Sequence, residues 1–236
     1  MHKACNPMHS LKLTHSLLVA VAWLLTACAS PQLPSAADGW HDVSLPGKQQ
    51  TRYDTGHHEG RQAVSARAER SASMWRRKLA VHAHELREVS FSWWVQAQPV
   101  NASVAEVSRE DSAARVLFAF DGNVSALPAR TRAMFELAEA LTGERPPYAT
   151  LMYVWDASAP VGTVIINPRS DRIRKIVVDS GTTQMGRWRD HRRNLAADFQ
   201  LAFGEAPGAL TSMAFMADSD NTQSSARTWF GAINLH

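Results

Sequence analysis

The segment Val89-Ser90-Phe91-Ser92-Trp93-Trp94-Val95-Gln96 constrains the fold most, because it alternates with a period of two residues. In an extended chain Val89, Phe91, Trp93 and Val95 share one face, and Ser90, Ser92, Trp94 and Gln96 share the other. Such a strand must bury its apolar face against a second layer. The same alternation, in weaker form, marks 115–120, 148–155, 173–179, 209–217 and 229–235, with earlier candidates at 40–45, 51–55 and 63–70.

Two segments break the pattern. Met134, Leu137, Ala138 and Leu141 recur at helical spacing before Gly143 and Pro146, which predicts a helix with a defined stop. Asp190 is positioned to cap a second helix carrying Leu195, Ala196 and Phe199, ending at Gly204 ahead of Pro207. So few helices exclude a doubly wound α/β sheet. The expectation is an all-β, jelly-roll-like antiparallel sandwich with two short helices, one domain over residues 40–236.

The amino terminus carries a different signal. Lys3 and Lys12 precede the apolar run Leu17-Leu18-Val19-Ala20-Val21-Ala22-Trp23-Leu24-Leu25, which is shorter than the roughly 20 residues a membrane span needs. Leu25-Thr26-Ala27-Cys28 then resembles the lipobox of bacterial lipoproteins, so residues 1–27 read as a signal peptide and Cys28 as the lipidated first residue of the mature chain. Residues 28–39, with Pro31, Pro34 and Ser35, read as a tether of reach on the order of 20 Å. Ala29, in place of the aspartate that retains many such proteins in the inner membrane, favours the outer membrane facing the periplasm. Cleavage would remove Cys5 and commit Cys28 to lipid, leaving no pair for a disulfide. It would also lower the formal charge from +3 to about +1, since Lys3 and Lys12 leave and no acid does. That balance, with arginines interleaved among acids, argues against a nucleic-acid partner.

Candidate binding residues are few. Trp94 stands on the polar face of its strand beside Ser90, Ser92 and Gln96, where an indole could meet the C–H face of a sugar or pack beneath a loop. Trp155 and Trp188 are further aromatic candidates, and Arg189 belongs to the basic group Arg187, Arg189, Arg192 and Arg193 that could meet an anionic ligand. Asp218-Ser219-Asp220-Asn221-Thr222 starts like a calcium loop, but Gln223 replaces the needed glycine and Trp229 falls where a bidentate glutamate belongs. An Asp/Asn-rich turn satisfying its own amides explains the same residues. Arg115, in an otherwise apolar strand, requires a carboxylate, and Asp111 is the nearest in sequence, giving an expected structural ion pair. His82 and His84 would share a face if extended, and His57-His58 reads as an exposed pair. No nucleophile elbow, His-Glu-x-x-His or phosphate-binding glycine loop is present, so no catalytic residue is assigned.

The run 192–203 with Gly204-Glu205-Ala206-Pro207, then 214–222 and the closing Trp229-Phe230-Gly231-Ala232-Ile233, resembles a bacterial family of exported proteins, domain of unknown function 3047. Segments 111–116, 153–155 and 177–181 fit the same pattern, so the resemblance spans nearly all of 40–235. It implies a layout similar to galactose-binding-like carbohydrate modules, in which an acid near the last strand helps hold a structural calcium. Calcium is therefore the one candidate cofactor, and here Ala232 stands after Gly231 where the acid that would help hold it is expected. Three functions compete on these residues. The first is a non-catalytic envelope module binding a carbohydrate-like ligand through Trp94, Trp155, Trp188, Arg189, Asp218, Asp220 and Asn221. The second is an assembly lipoprotein that binds another envelope protein, and the third a glycan hydrolase drawing acids from Asp111, Asp179, Asp190, Asp218 and Asp220.

Overall fold

The computed structural model describes residues 1–2 and 35–236. Cys28, most of the expected signal peptide and the first part of the tether lie outside the described residues. From Ser35 onward the chain builds one compact unit. A single 3-10 turn at Ala36–Asp38, closed by left-handed Gly39, leads into the first strand.

Among the described residues thirteen strands form two sheets. They are β1 (Trp40–Ser44), β2 (Arg52–His58), β3 (Arg61–Glu69), β4 (Ala72–Val81), β5 (Glu88–Ala97), β6 (Ser112–Phe120) and β7 (Ala149–Asp156). The remaining six are β8 (Val164–Asn167), β9 (Ser170–Ser180), β10 (Arg189–Asn194), β11 (Leu210–Asp218), β12 (Ser225–Phe230) and β13 (Asn234–Leu235). The larger sheet runs β1-β4-β11-β6-β7-β9-β8 and the smaller β10-β5-β12-β3-β2, with β13 on β5. All pairs are antiparallel except β7 with β9. That exception follows from β8, which takes the sheet edge first, so that β9 turns back antiparallel to β8 and falls into place parallel to β7.

Alternation sets what each sheet buries. Val89, Phe91, Trp93 and Val95 of β5 meet Val116, Phe118 and Phe120 of β6, Leu151 and Tyr153 of β7 and Phe215 of β11 in the space between the sheets. Trp155, a binding candidate from sequence, belongs to this core. It is 1% exposed, lies edge-on to Trp93, and donates its indole N–H to the Gly181 carbonyl at 2.9 Å. The opposite face of the larger sheet carries its own apolar set, including Leu117, Met152, Val154, Val177, Ala214 and Met216. β4 escaped sequence reading because Arg76-Arg77-Lys78 hides the alternation of Ser73 and Trp75 against Met74 and Arg76.

Both helices form, with one correction. The first, α1 (Ala129–Thr142), ends at left-handed Gly143 but buries only Phe135. The second, α2 (Leu195–Phe203), is capped by Asn194, whose side chain accepts from Ala197 N–H at 2.9 Å. Asp190 instead lies in β10 opposite Ser92 and pairs with Arg61 across the surface. The polar run Arg189–Asn194 is extended because it completes the smaller sheet against β5.

Candidate functional site

The outward residues of β4, β6, β7, β9 and β11 floor a half-open cleft of about 910 Å³ on the larger sheet. Met74, Leu117, Ala119, Met152, Ala214 and Met216 supply an aliphatic floor. Its walls are charged. At one end stand Glu110, Arg115, Asp218, Asp220, Asn221, Lys48 and Arg169, and at the other the loop 144–148 and the turn Asp121-Gly122 close over it. Gly122 is required there, since a Cβ would run into the Tyr148 ring.

The charged end is a buried network. Arg115, 2% exposed, is held by both oxygens of Asp218, with Nε–Oδ1 at 3.0 Å and Nη2–Oδ2 at 2.9 Å, and it also donates to the Glu110 carbonyl at 2.7 Å. Asp111 is therefore not its partner. That carboxylate accepts from Asn221 N–H at 3.1 Å, Thr222 N–H at 2.7 Å and the Thr222 hydroxyl at 2.6 Å, and so fixes the 218–222 turn. Sequence distance misled because β11 pairs with β6 in space, setting Asp218 opposite Ser112. Glu110 accepts from Asn167, Lys175 and Arg169, each at 2.6 Å. Burial pushes the Lys175 ammonium down to about 8, with Arg115 adding to the effect and Glu110 opposing it. Burial likewise pushes the Asp218 carboxyl up to about 6, against the pull of Arg115.

Asp111, Asp218 and Asp220 offer three oxygens within 4.8 Å of one another. They do not fit a divalent cation. Arg115 already sits on Asp218, Lys48 on Asp220, and hydrogen-bond donors fill Asp111, whereas a calcium site needs six to eight oxygens free to turn inward. Glu144 is similarly taken by Arg76 and Lys78. Among the buried side-chain donors of the described residues lining the cleft, Arg76 Nε has no partner.

The residues singled out from sequence fall in separate places. Asp218, Asp220 and Asn221 line the charged end of the cleft. Trp94 and Trp188 lie on the outer face of the smaller sheet, edge to face at 6.1 Å. Arg189 joins Trp93 and His191 around the buried Asp179, at 3.0, 2.8 and 2.9 Å. His82 caps a 3-10 turn at Ala83–Glu85 and His84 lies within it, with their rings 5.6 Å apart, and no third ligand joins them among the described residues. Arg76, Lys78, Glu144 and the methionine floor went unnoticed, for nothing in their local sequence distinguishes them from an ordinary solvated strand and loop.

A family model described as "Protein of unknown function (DUF3047)" matches residues 38–234. The chain belongs to that family. No curated protein matches this DUF3047 chain. Among solved structures, the family 11 carbohydrate-binding module of the cellulase Lic26A-Cel5E from Clostridium thermocellum is similar at 10% identity and TM-score 0.40, covering 84% of this chain and 86% of that one. Endoglucanase cel12A from Rhodothermus marinus is similar at 11% and 0.47, covering 85% and 94%. The xyloglucanase domain of NopAA from Sinorhizobium fredii is similar at 7% and 0.42, covering 86% and 99%.

Proposed function

We propose that this DUF3047 protein is a lipid-anchored, non-catalytic module of the cell envelope that holds a carbohydrate-like ligand in the cleft of its larger sheet. The carrying observation is the cleft itself: an aliphatic floor for the C–H faces of a ligand, ringed by hydrogen-bonding groups, with the unspent Arg76 Nε–H inside. Its volume is within the roughly 300–1,000 Å³ usual for small-ligand sites. The non-catalytic part rests on Glu110, Glu144, Asp218 and Asp220 each being held by a cation. A glycosidase needs two carboxyl groups free to act across one bond.

Ala119 is half-buried on the cleft floor, so Ala119→Trp fills the groove while leaving the inward face of β6 untouched. Thermal unfolding across a panel of envelope and plant glycans should show a shift with one glycan class, unaffected by calcium or EDTA, that Ala119→Trp abolishes. A shift that survives Ala119→Trp moves the ligand elsewhere, and glycan turnover contradicts the non-catalytic reading. The anchor is tested separately. In the native host, labelled fatty acid should enter the wild-type chain and not Cys28→Ser, and equal labelling of both would exclude Cys28 as the acceptor.

A further inference from the structure

The outer face of the smaller sheet holds an aromatic group that the cleft does not use. His58, at the end of β2, stacks on Trp229 of β12 at 3.7 Å between centroids and 7° between planes, and meets Trp94 of β5 edge-on at 4.9 Å. Trp188, from the segment preceding β10, closes the group at 6.3 Å from His58. Two guanidinium groups lie over it, Arg61 over Trp188 at 5.0 Å and Arg227 over Trp229 at 4.8 Å.

Satisfied packing would account for the rings, but not for their polar atoms. Among the described residues six buried side-chain atoms lack a hydrogen-bond partner, and three of them, His58 Nε2, Trp188 Nε1 and Arg227 Nε, belong to this one patch. A buried polar atom without a partner destabilises the fold unless something answers it. Trp188 Nε1 and Arg227 Nε can only donate, so what answers them must accept. Arg61 is paired with Asp190, whereas Arg227 forms no salt bridge among the described residues, so its guanidinium is left for an anionic partner. A group that fits is flat enough to lie against indole edges, rich in acceptor oxygens and anionic.

The geometry points to a second binding site on this face, formed by His58, Trp94, Trp188, Trp229, Arg61 and Arg227, that takes the carboxylate-bearing ring of an acidic sugar. The ring's C–H face packs on the half-buried Trp94 and Trp188 while its carboxylate accepts from Trp188 and Arg227. The site stands on the sheet opposite the cleft and does not depend on the cleft's ligand.

The test titrates the full chain with a galacturonate oligomer, its methyl ester and free acetate, read by calorimetry and tryptophan fluorescence. The acid oligomer should bind, the ester at least tenfold more weakly. Trp188→Phe, which keeps a ring and removes the N–H, and Arg227→Met should each weaken the acid oligomer about tenfold. Ala119→Trp should leave it unchanged, which separates this site from the cleft. Unfolding curves for both patch variants identify any loss that merely reflects misfolding, and Trp188→Phe is the conservative member of the pair. No binding by the acid oligomer, equal binding of acid and ester, or binding lost only in Ala119→Trp overturns the assignment. Acetate competing on equal terms overturns the sugar and leaves a simple anion site.

Discussion

Arg115→Met is expected to lower stability by about 3–5 kcal/mol, because it strands the carboxylate of Asp218 in a site 4% exposed. At roughly 2–4 °C per kcal/mol for a domain of this size, the melting temperature should fall by about 6–20 °C. Glu110 would keep Lys175, Arg169 and Asn167, so the damage centres on Asp218. The double change Arg115→Met with Asp218→Leu removes both charges and should recover most of the loss, since two apolar side chains leave nothing unpaired. A double variant no more stable than the single one would show that the pair does more than neutralise itself. The pH dependence has a definite sign. Because burial holds the Asp218 carboxyl near 6, above its unfolded value of about 3.9, the folded state binds that proton more tightly. Its contribution is full below about pH 4 and is lost as pH rises through about 6. The stability of wild type relative to Asp218→Asn should therefore decline across that window; a rise would place the folded pKa below the unfolded one.

Asp179→Ala is expected to cost about 3 kcal/mol by unfolding in denaturant at neutral pH, chiefly because it leaves the indole N–H of Trp93, in the middle of the core, with no acceptor. Arg189 and His191 lose the same carboxylate, but Arg189 is a third exposed and can turn to water. Burial alone would raise the Asp179 pKa, yet the hydrogen bonds from His191, Arg189 and Trp93 outweigh it and hold the carboxyl below the ordinary range. The sign is thus opposite to that of Asp218. The stabilisation is present above the ordinary carboxylate value and is lost as pH falls through the folded one, so the gap between wild type and Asp179→Ala should narrow in acid. A gap that widens in acid would contradict this arrangement.

These two carboxylates also mark how far the sequence could be read. The sandwich was legible because β5, β6, β7 and β11 each bury one full face, and a buried face writes its period into the chain. β10 was illegible because Arg189–Asn194 has no apolar face to bury and is held extended by β5 alone. The need of Arg115 for a carboxylate was legible from its apolar neighbours, while the identity of that carboxylate depended on pairing between strands about a hundred residues apart. The cleft was harder still. Its floor reads locally as ordinary strand, and only the association of five strands shows that Met74, Met152 and Met216 share one surface. Trp94 was visible from its place on the wrong face of β5, but its neighbours Trp229 and His58 come from other strands, and no local signal joins them.

Those three methionines offer the most direct test of the central claim, that the cleft of the larger sheet holds the ligand. With methyl-labelled methionine, titration of the glycan class found in the unfolding panel should shift the signals of Met74, Met152 and Met216, while Met213, which faces the core, stays in place. Shifts confined to Met134 on the exposed helix, or absent from all three floor methyls at saturation, would contradict it.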